Sequence, residues 1–127
     1  MILGIGNDIV EIARIEKAIS NEKFKKRVYT EKEIEITEKK GSKAASYAGR
    51  FSAKEAISKA LGTGVRDFNL TDIEILNDEL GKPYVVFKNI LKDKMAGMRM
   101  EISISHSKEY VTAVAVMFKR SAEDGSK

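Results

Sequence analysis

Three features of the sequence predict an α+β domain in which an antiparallel-rich sheet carries a long packed helix. The first is Ser42 to Leu61, a run without proline that contains one internal glycine, Gly49. The second is a change of apolar period after it, because Ile73 and Ile75 alternate with polar neighbours and Met100 to Ile104 alternates again. The third is Tyr110 to Phe118, apolar at both parities: Val114 and Val116 on one face, Val111, Ala113, Ala115 and Met117 on the other. Such a strand belongs at the centre of a sheet or in an interface. A chain of 127 residues suits one domain. We expect that domain to span residues 1–120, with a disordered tail at 121–127. At this size folding hides roughly two-thirds of the unfolded chain's surface, and a hydrophobic content of 43% can fill a core.

In chain order, Ile2 to Ile9 is apolar and glycine-punctuated, as in a buried strand. Ile12, Ile15 and Ile19 then fall at helical spacing, so a helix is expected from Ile9 to Ser20 with Asp8 at the junction. Thr30-Glu-Lys-Glu33 matches a capping box and predicts a short helix that stops at Lys40-Gly41. The long helix follows, and Gly62-Thr-Gly64 ends it. Ile73–Ile75 and Tyr84–Phe87, on either side of Asn77-Asp78 and Gly81-Lys-Pro83, predict paired strands. Asn89 to Met95 predicts a short helix before the last two strands.

Composition narrows the chemistry. The chain has no cysteine and a single histidine, so thiolate sites are excluded and a bound metal would take oxygen ligands, which favours a hard cation. The opening segment meets an acid at Asp8 and no apolar run approaches membrane-spanning length, from which we expect a soluble cytoplasmic protein without membrane association. Between Arg14 and Arg27 stand six cations (Arg14, Lys17, Lys23, Lys25, Lys26, Arg27) against Glu16 and Glu22, an excess of 6 − 2 = 4 that equals the net charge of the whole chain, +4. That segment is either a solvated face or a docking surface for an acidic partner.

Two acids draw attention. Asp8 follows an interior strand and is either the N-cap of the next helix or a carboxylate held by a partner or a metal. Glu55 lies on a stripe with Ala44, Ala48, Phe51, Lys59 and Gly62, and forms either an i, i+4 pair with Lys59 or part of a site. Magnesium commonly takes one or two carboxylates and completes its shell with water and substrate phosphates. Asp8 and Glu55 fill that quota, and Lys59 could neutralise charge on a phosphate. The chain offers no convincing nucleophile of its own, so the nucleophile belongs to a substrate. His106 shares the parity of Ile102 and Ile104 and reads by itself as a partly buried, satisfied histidine.

Four segments in this order, Gly4-Ile-Gly-Asn-Asp-Ile-Val-Glu-Ile-Ala-Arg14, Arg50-Phe-Ser-Ala-Lys-Glu-Ala-Ile-Ser-Lys59, Gly81-Lys-Pro83 and Ser103-Ile-Ser-His-Ser107, resemble the small bacterial 4′-phosphopantetheinyl transferases, the holo-(acyl-carrier-protein) synthase family. The resemblance covers Met1 to about Phe118. It implies a 4′-phosphopantetheinyl transferase-like fold and transfer of 4′-phosphopantetheine from coenzyme A to a serine of an apo-acyl carrier protein, releasing adenosine 3′,5′-bisphosphate, in fatty acid biosynthesis. It implies Mg2+ on Asp8 and Glu55, Lys59 at the pyrophosphate and Glu55 as general base, directly or through water. Coenzyme A would also meet Gly62, Gly64, Lys82, Pro83, Ser105 and His106, with Ser107 as a further donor. The carrier would dock on Arg14 first, with Lys17, Lys23, Lys25 and Arg27 beside it. The family is a homotrimer with sites between subunits. Asn7 stands where threonine is frequent and Ala13 where an acid is, which bears on carrier choice. Two other readings are a magnesium-dependent phosphodiesterase or nucleotide hydrolase using the same acids, and a basic nucleic-acid-binding protein. The second finds one aromatic, Phe24, inside the basic cluster and no stacking series, so no nucleic-acid partner is expected.

Overall fold

The computed structural model describes residues 1–62 and 65–121. In order it contains β1 (Ile2–Glu11), α1 (Ile12–Ala18), α2 (Glu22–Val28), α3 (Glu31–Glu38), α4 (Lys43–Leu61), a 3-10 turn (Leu70–Asp72), β2 (Ile73–Asn77), β3 (Pro83–Phe87), α5 (Ile90–Lys94), β4 (Met98–His106) and β5 (Tyr110–Lys119). The expected tail at 122–127 and the Gly64 half of the glycine turn lie outside the described residues.

The strands form two antiparallel sheets, one ordered β1-β5-β4 and one pairing β2 with β3. The fold is therefore α+β, with α4 packed across β1, β5 and β4. The final strand takes the central place, one of the two that its two-faced apolar pattern allowed. Ala53, Ala56, Ile57 and Ala60 of α4 bury against Ala113 and Ala115 of β5, Met100 and Ile102 of β4, and Ile73 and Ile75 of β2. A second cluster joins Val10, Ile15, Val28, Tyr29, Tyr47, Ala48 and Val111.

Helix α4 lies against β1 backbone to backbone. Gly4 and Gly6 share the inward parity of Asp8 and Val10, and a β-carbon at Gly4 or Gly6 would fall on the carbonyl oxygen of Ala60 or Ala56 respectively. Glycine is required there because helix backbone occupies the space a side chain would need.

Three local expectations change. β1 continues to Glu11 rather than yielding to helix at Ile9, because Glu11 pairs with Tyr110 and the Ile12 N–H donates to the Glu109 carbonyl at 2.9 Å. Asp8 is therefore not an N-cap: Glu11 holds that position, without a side-chain cap. Residues Glu22–Val28 add a helix that the sequence reading lacked, started by Asn21, whose side chain accepts from the Lys23 and Phe24 amides. The capping box at Thr30 and Glu33 forms as expected.

Candidate active site

Asp8 sits in β1 facing α4, its side chain 16% exposed. Its Oδ2 accepts from the Ser52 hydroxyl at 3.1 Å, and its Oδ1 lies 3.5 Å from the Lys59 ammonium. Lys59 also donates to the Asn7 carbonyl at 3.0 Å, so it reaches across to β1 as well as lying one turn beyond Glu55. Ser52, Glu55 and Lys59 follow one another at three- and four-residue steps and so share a flank of α4. Glu55 is half-buried on that flank. Its pKa is raised from the ordinary glutamate value by burial first and by the Asp8 charge second, with Lys59 opposing both. Two carboxylates that feel each other's charge, next to a cation and open to solvent, form the kind of donor set that a hard divalent cation relieves. Among the described residues there is no group of three or more acidic, histidine or cysteine side chains that would cage a metal alone. A metal here would complete its shell with water and substrate oxygens, as magnesium does.

A cleft of about 310 Å³ opens on another flank of α4, lined by Lys40, Ser46, Arg50, Asn77, Pro83 and His106 among others. His106 is exposed there rather than partly buried, since β4 carries it past the packed Ile104. Pro83 and Gly81 enter from the β2–β3 hairpin. That hairpin turn is stiff: Asp78 Oδ1 accepts from the amides of Leu80 and Lys82, both at 2.9 Å. Arg50 braces the wall, donating to the Ile75 carbonyl at 3.1 Å, the Ser46 hydroxyl at 2.9 Å and Asn77 Oδ1 at 2.9 Å. Arg50, Asn77 and Lys40 stand in the sequence only as part of a motif, a turn and a helix stop, and their polarity gives no sign of a cleft until the fold brings them together.

The expected cofactor residues thus form two groups in one protomer. Asp8 on β1 and His106 on β4 belong to opposite edges of the three-stranded sheet, and α4 packs between them. Gly49 beside the cleft and Lys59 beside Asp8 are ten residues apart on α4, about 15 Å at 1.5 Å per residue. Several residues stand apart from both groups. Ser105 has the opposite parity to His106, on the outer face with Ser103 and Glu101, so these neighbours do not line one cleft. Ser107 Oγ accepts from the Tyr110 amide at 3.2 Å within the β4–β5 turn. The Lys82 ammonium lies 3.5 Å from Glu101. The Gly62 amide donates to the Lys59 carbonyl at 3.1 Å, with φ 64° and ψ −146° at the helix end.

Of the basic segment, Arg14, Lys17, Lys23, Lys26 and Arg27 are exposed. Lys25 differs, its side chain 15% exposed and bound to Glu38 at 2.9 Å. Phe24 packs on Phe51 with ring centroids 6.1 Å apart, turning the segment's aromatic inward. No helix among the described residues is long and apolar enough to cross a membrane.

Residues 4–115 match the 4′-phosphopantetheinyl transferase superfamily. A holo-(acyl-carrier-protein) synthase of Fusobacterium nucleatum subsp. nucleatum is 62% identical over 121 residues, covering 92% of this chain and 99% of the relative. The crystal structure of a holo-(acyl-carrier-protein) synthase from Bacillus anthracis in complex with CoA (3′,5′-ADP) superposes with TM-score 0.79 at 41% identity, covering 95% of this chain and 99% of that one. The holo-(acyl-carrier-protein) synthase from Neisseria meningitidis superposes with TM-score 0.86 at 35% identity, covering 94% and 100%.

Proposed function

The chain belongs to the 4′-phosphopantetheinyl transferase superfamily and is an enzyme of that class, and on that basis we propose that it moves 4′-phosphopantetheine from coenzyme A to a serine of an apo-acyl carrier protein in fatty acid biosynthesis, with magnesium. The observation that carries this reading is the meeting of Asp8, Glu55 and Lys59 where β1 and α4 touch. Asp8 and Glu55 would hold the cation, which supplies positive charge to the coenzyme A pyrophosphate. Lys59 adds a second positive charge at the same phosphates. The carrier serine attacks the β-phosphorus: a new P–O bond forms to the serine oxygen, the bond to the bridging oxygen breaks, and adenosine 3′,5′-bisphosphate leaves. The serine proton passes to the Glu55 carboxylate, directly or through a water, because Glu55 lies beside the proposed phosphate site on the flank of α4 that faces Asp8.

The cleft holding His106 and Pro83 fits the nucleotide end of coenzyme A, with Lys40, Arg50 and Asn77 supplying donors. Because α4 separates that cleft from Asp8 in one protomer, a complete site needs a second copy. The outer sheet face supports this, since Ile5 and Ile9 are each 66% exposed and Leu3 43%, with half-buried Val114 and Val116 on the same face. Covering that face in a homotrimer would bring one protomer's acids to its neighbour's cleft. Arg14, Lys17, Lys23 and Arg27 would dock the acidic carrier, while Lys25 serves its own fold through Glu38. Localisation in the cytoplasm follows from this role.

The test is to incubate the protein with magnesium, coenzyme A and apo-carrier protein and to weigh the carrier by mass spectrometry. A gain of one phosphopantetheine is expected. No gain, with coenzyme A cleaved in the absence of carrier, would replace the transferase with a hydrolase.

A further inference from the structure

The segment that carries Glu55 also carries a lysine that the proposed chemistry does not use. Lys54, one residue earlier on α4, is fully buried. An ammonium has three donors, and Lys54 places all of them: on the Val28 carbonyl at 2.6 Å, Glu33 Oε1 at 2.7 Å and the Leu70 carbonyl at 3.0 Å. Glu33 is fully buried too. Its Oε1 also accepts from the Thr30 amide at 2.8 Å, and its Oε2 accepts from the Ile75 amide at 2.8 Å. The Thr30 hydroxyl donates in turn to buried Glu74 at 2.7 Å. The end of α2, the start of α3, the middle of α4, the 3-10 turn and β2 therefore meet at one ion pair.

Burying an ion pair is a poor route to stability, because apolar residues of similar volume commonly serve as well or better. What the pair adds is fixed geometry. Every donor and acceptor is matched, so shifting any one segment would strand a buried charge or amide. The segments it joins are informative. Val28 ends α2, the helix whose exposed face carries Lys23 and Arg27. Lys54 is adjacent to Glu55, about 100° around the same helix, so anchoring one sets the direction of the other.

We propose that Lys54 and Glu33 form a positioning pair that locks the carrier-docking helix α2 to the Glu55-bearing flank of α4, so that a docked carrier presents its serine in line with the reacting phosphate. This rests on the docking and general-base roles proposed above. A reacting group misplaced by an ångström loses much of the advantage of being held, and the pair supplies the rigid link between the surface that captures the carrier and the residue that takes its proton.

The test is the double variant Lys54→Met with Glu33→Gln, which removes both charges at similar volume and keeps an acceptor for the Ile75 amide. Four results are expected: native circular dichroism with a melting temperature lowered by several degrees, because the Val28 and Leu70 carbonyls and the Thr30 amide lose their partners; unchanged coenzyme A affinity by calorimetry with magnesium; faster amide hydrogen exchange in 22–28 but not in 43–61; and a KM for apo-carrier raised at least about fivefold, the low end for coupling between linked sites. A purely structural pair would instead reduce the active fraction and leave both KM values alone. Wild-type exchange in 22–28 together with a wild-type carrier KM overturns the proposal. If the wild-type chain modifies no carrier, the functional reading fails instead, and the exchange comparison still decides whether the pair holds α2. Should the double variant not fold, Glu33→Gln alone, which neutralises one half of the pair and keeps an acceptor for the Ile75 amide, takes its place, and an unchanged carrier KM and exchange there overturn the proposal equally.

Discussion

Burial first and the Asp8 charge second hold Glu55 above the ordinary glutamate range, with Lys59 opposing both. Replacing either acid with alanine should lower transfer by at least about 100-fold, more than the loss of an outer-shell partner typically costs, without lowering the melting temperature of the metal-free protein; single-turnover mass spectrometry and thermal melting measure the two effects. Arg14 is exposed on α1 and free to meet an acidic carrier. Arg14→Ala should raise the carrier KM about five- to tenfold and leave the coenzyme A KM alone, an effect that shrinks as salt rises. Glu38 is a purely structural acid: the Tyr47 hydroxyl, Lys25 and Lys43 hold its pKa at about 2 against an ordinary 4.5. A depressed carboxylate stabilises the fold above its unfolded pKa and loses that contribution as pH falls through the folded one. Glu38→Gln should therefore lower the melting temperature by a few degrees at neutral pH, with the gap closing between 4.5 and about 2. Legibility at this scale was uneven. Asp8, Glu55 and Lys59 stood out because acids on apolar patterns are anomalous, whereas Arg50 and Asn77 did not, since polar residues carry no mark of the cavity they will line.

At the scale of elements, the contact between β1 and α4 does most to build the site, and glycine makes it. Gly6→Ala would drive a β-carbon into the Ala56 carbonyl and push the helix outward. Overpacking of this kind costs about 1–3 kcal/mol or more, and here it would also part Asp8 from Glu55. Unfolding in urea should show the first loss, and magnesium-dependent coenzyme A binding the second. The long helix, the hairpin and the two final strands were legible because each is periodic over many residues. The strand-to-helix boundary was not: Ile9 to Glu11 fits a helical period locally, but pairing with Tyr110, Val111 and Thr112 extends the strand. Helix α2 escaped notice because Phe24 and Val28 are too few apolar residues to set a period.

For the whole molecule, the proposed trimer rests on the exposed apolar residues of the outer sheet face. Ile5 lies opposite Val116 and stands 66% exposed, so Ile5→Glu leaves the core untouched while placing charge on the proposed interface. Wild type should sediment as a trimer and the variant as a monomer with native circular dichroism, and transfer should be lost because each acid cluster is parted from its neighbour's cleft. A monomeric wild type with full activity would remove the second copy from the site.

The sequence by itself determined the α+β class, a final strand apolar on both faces, two anomalous acids with a lysine beside one of them, and the family, because periodicity, unusual polar residues and ordered motifs are all local properties of the chain. Only the tertiary structure decided that Gly4 and Gly6 serve helix contact, that Asp8 is no cap, that Lys25 and Lys54 are internal cations, and that His106 and Asp8 stand on opposite flanks of α4. Each of these depends on what lies across the fold, and distances between residues remote in the chain are set by packing rather than by any spacing along it.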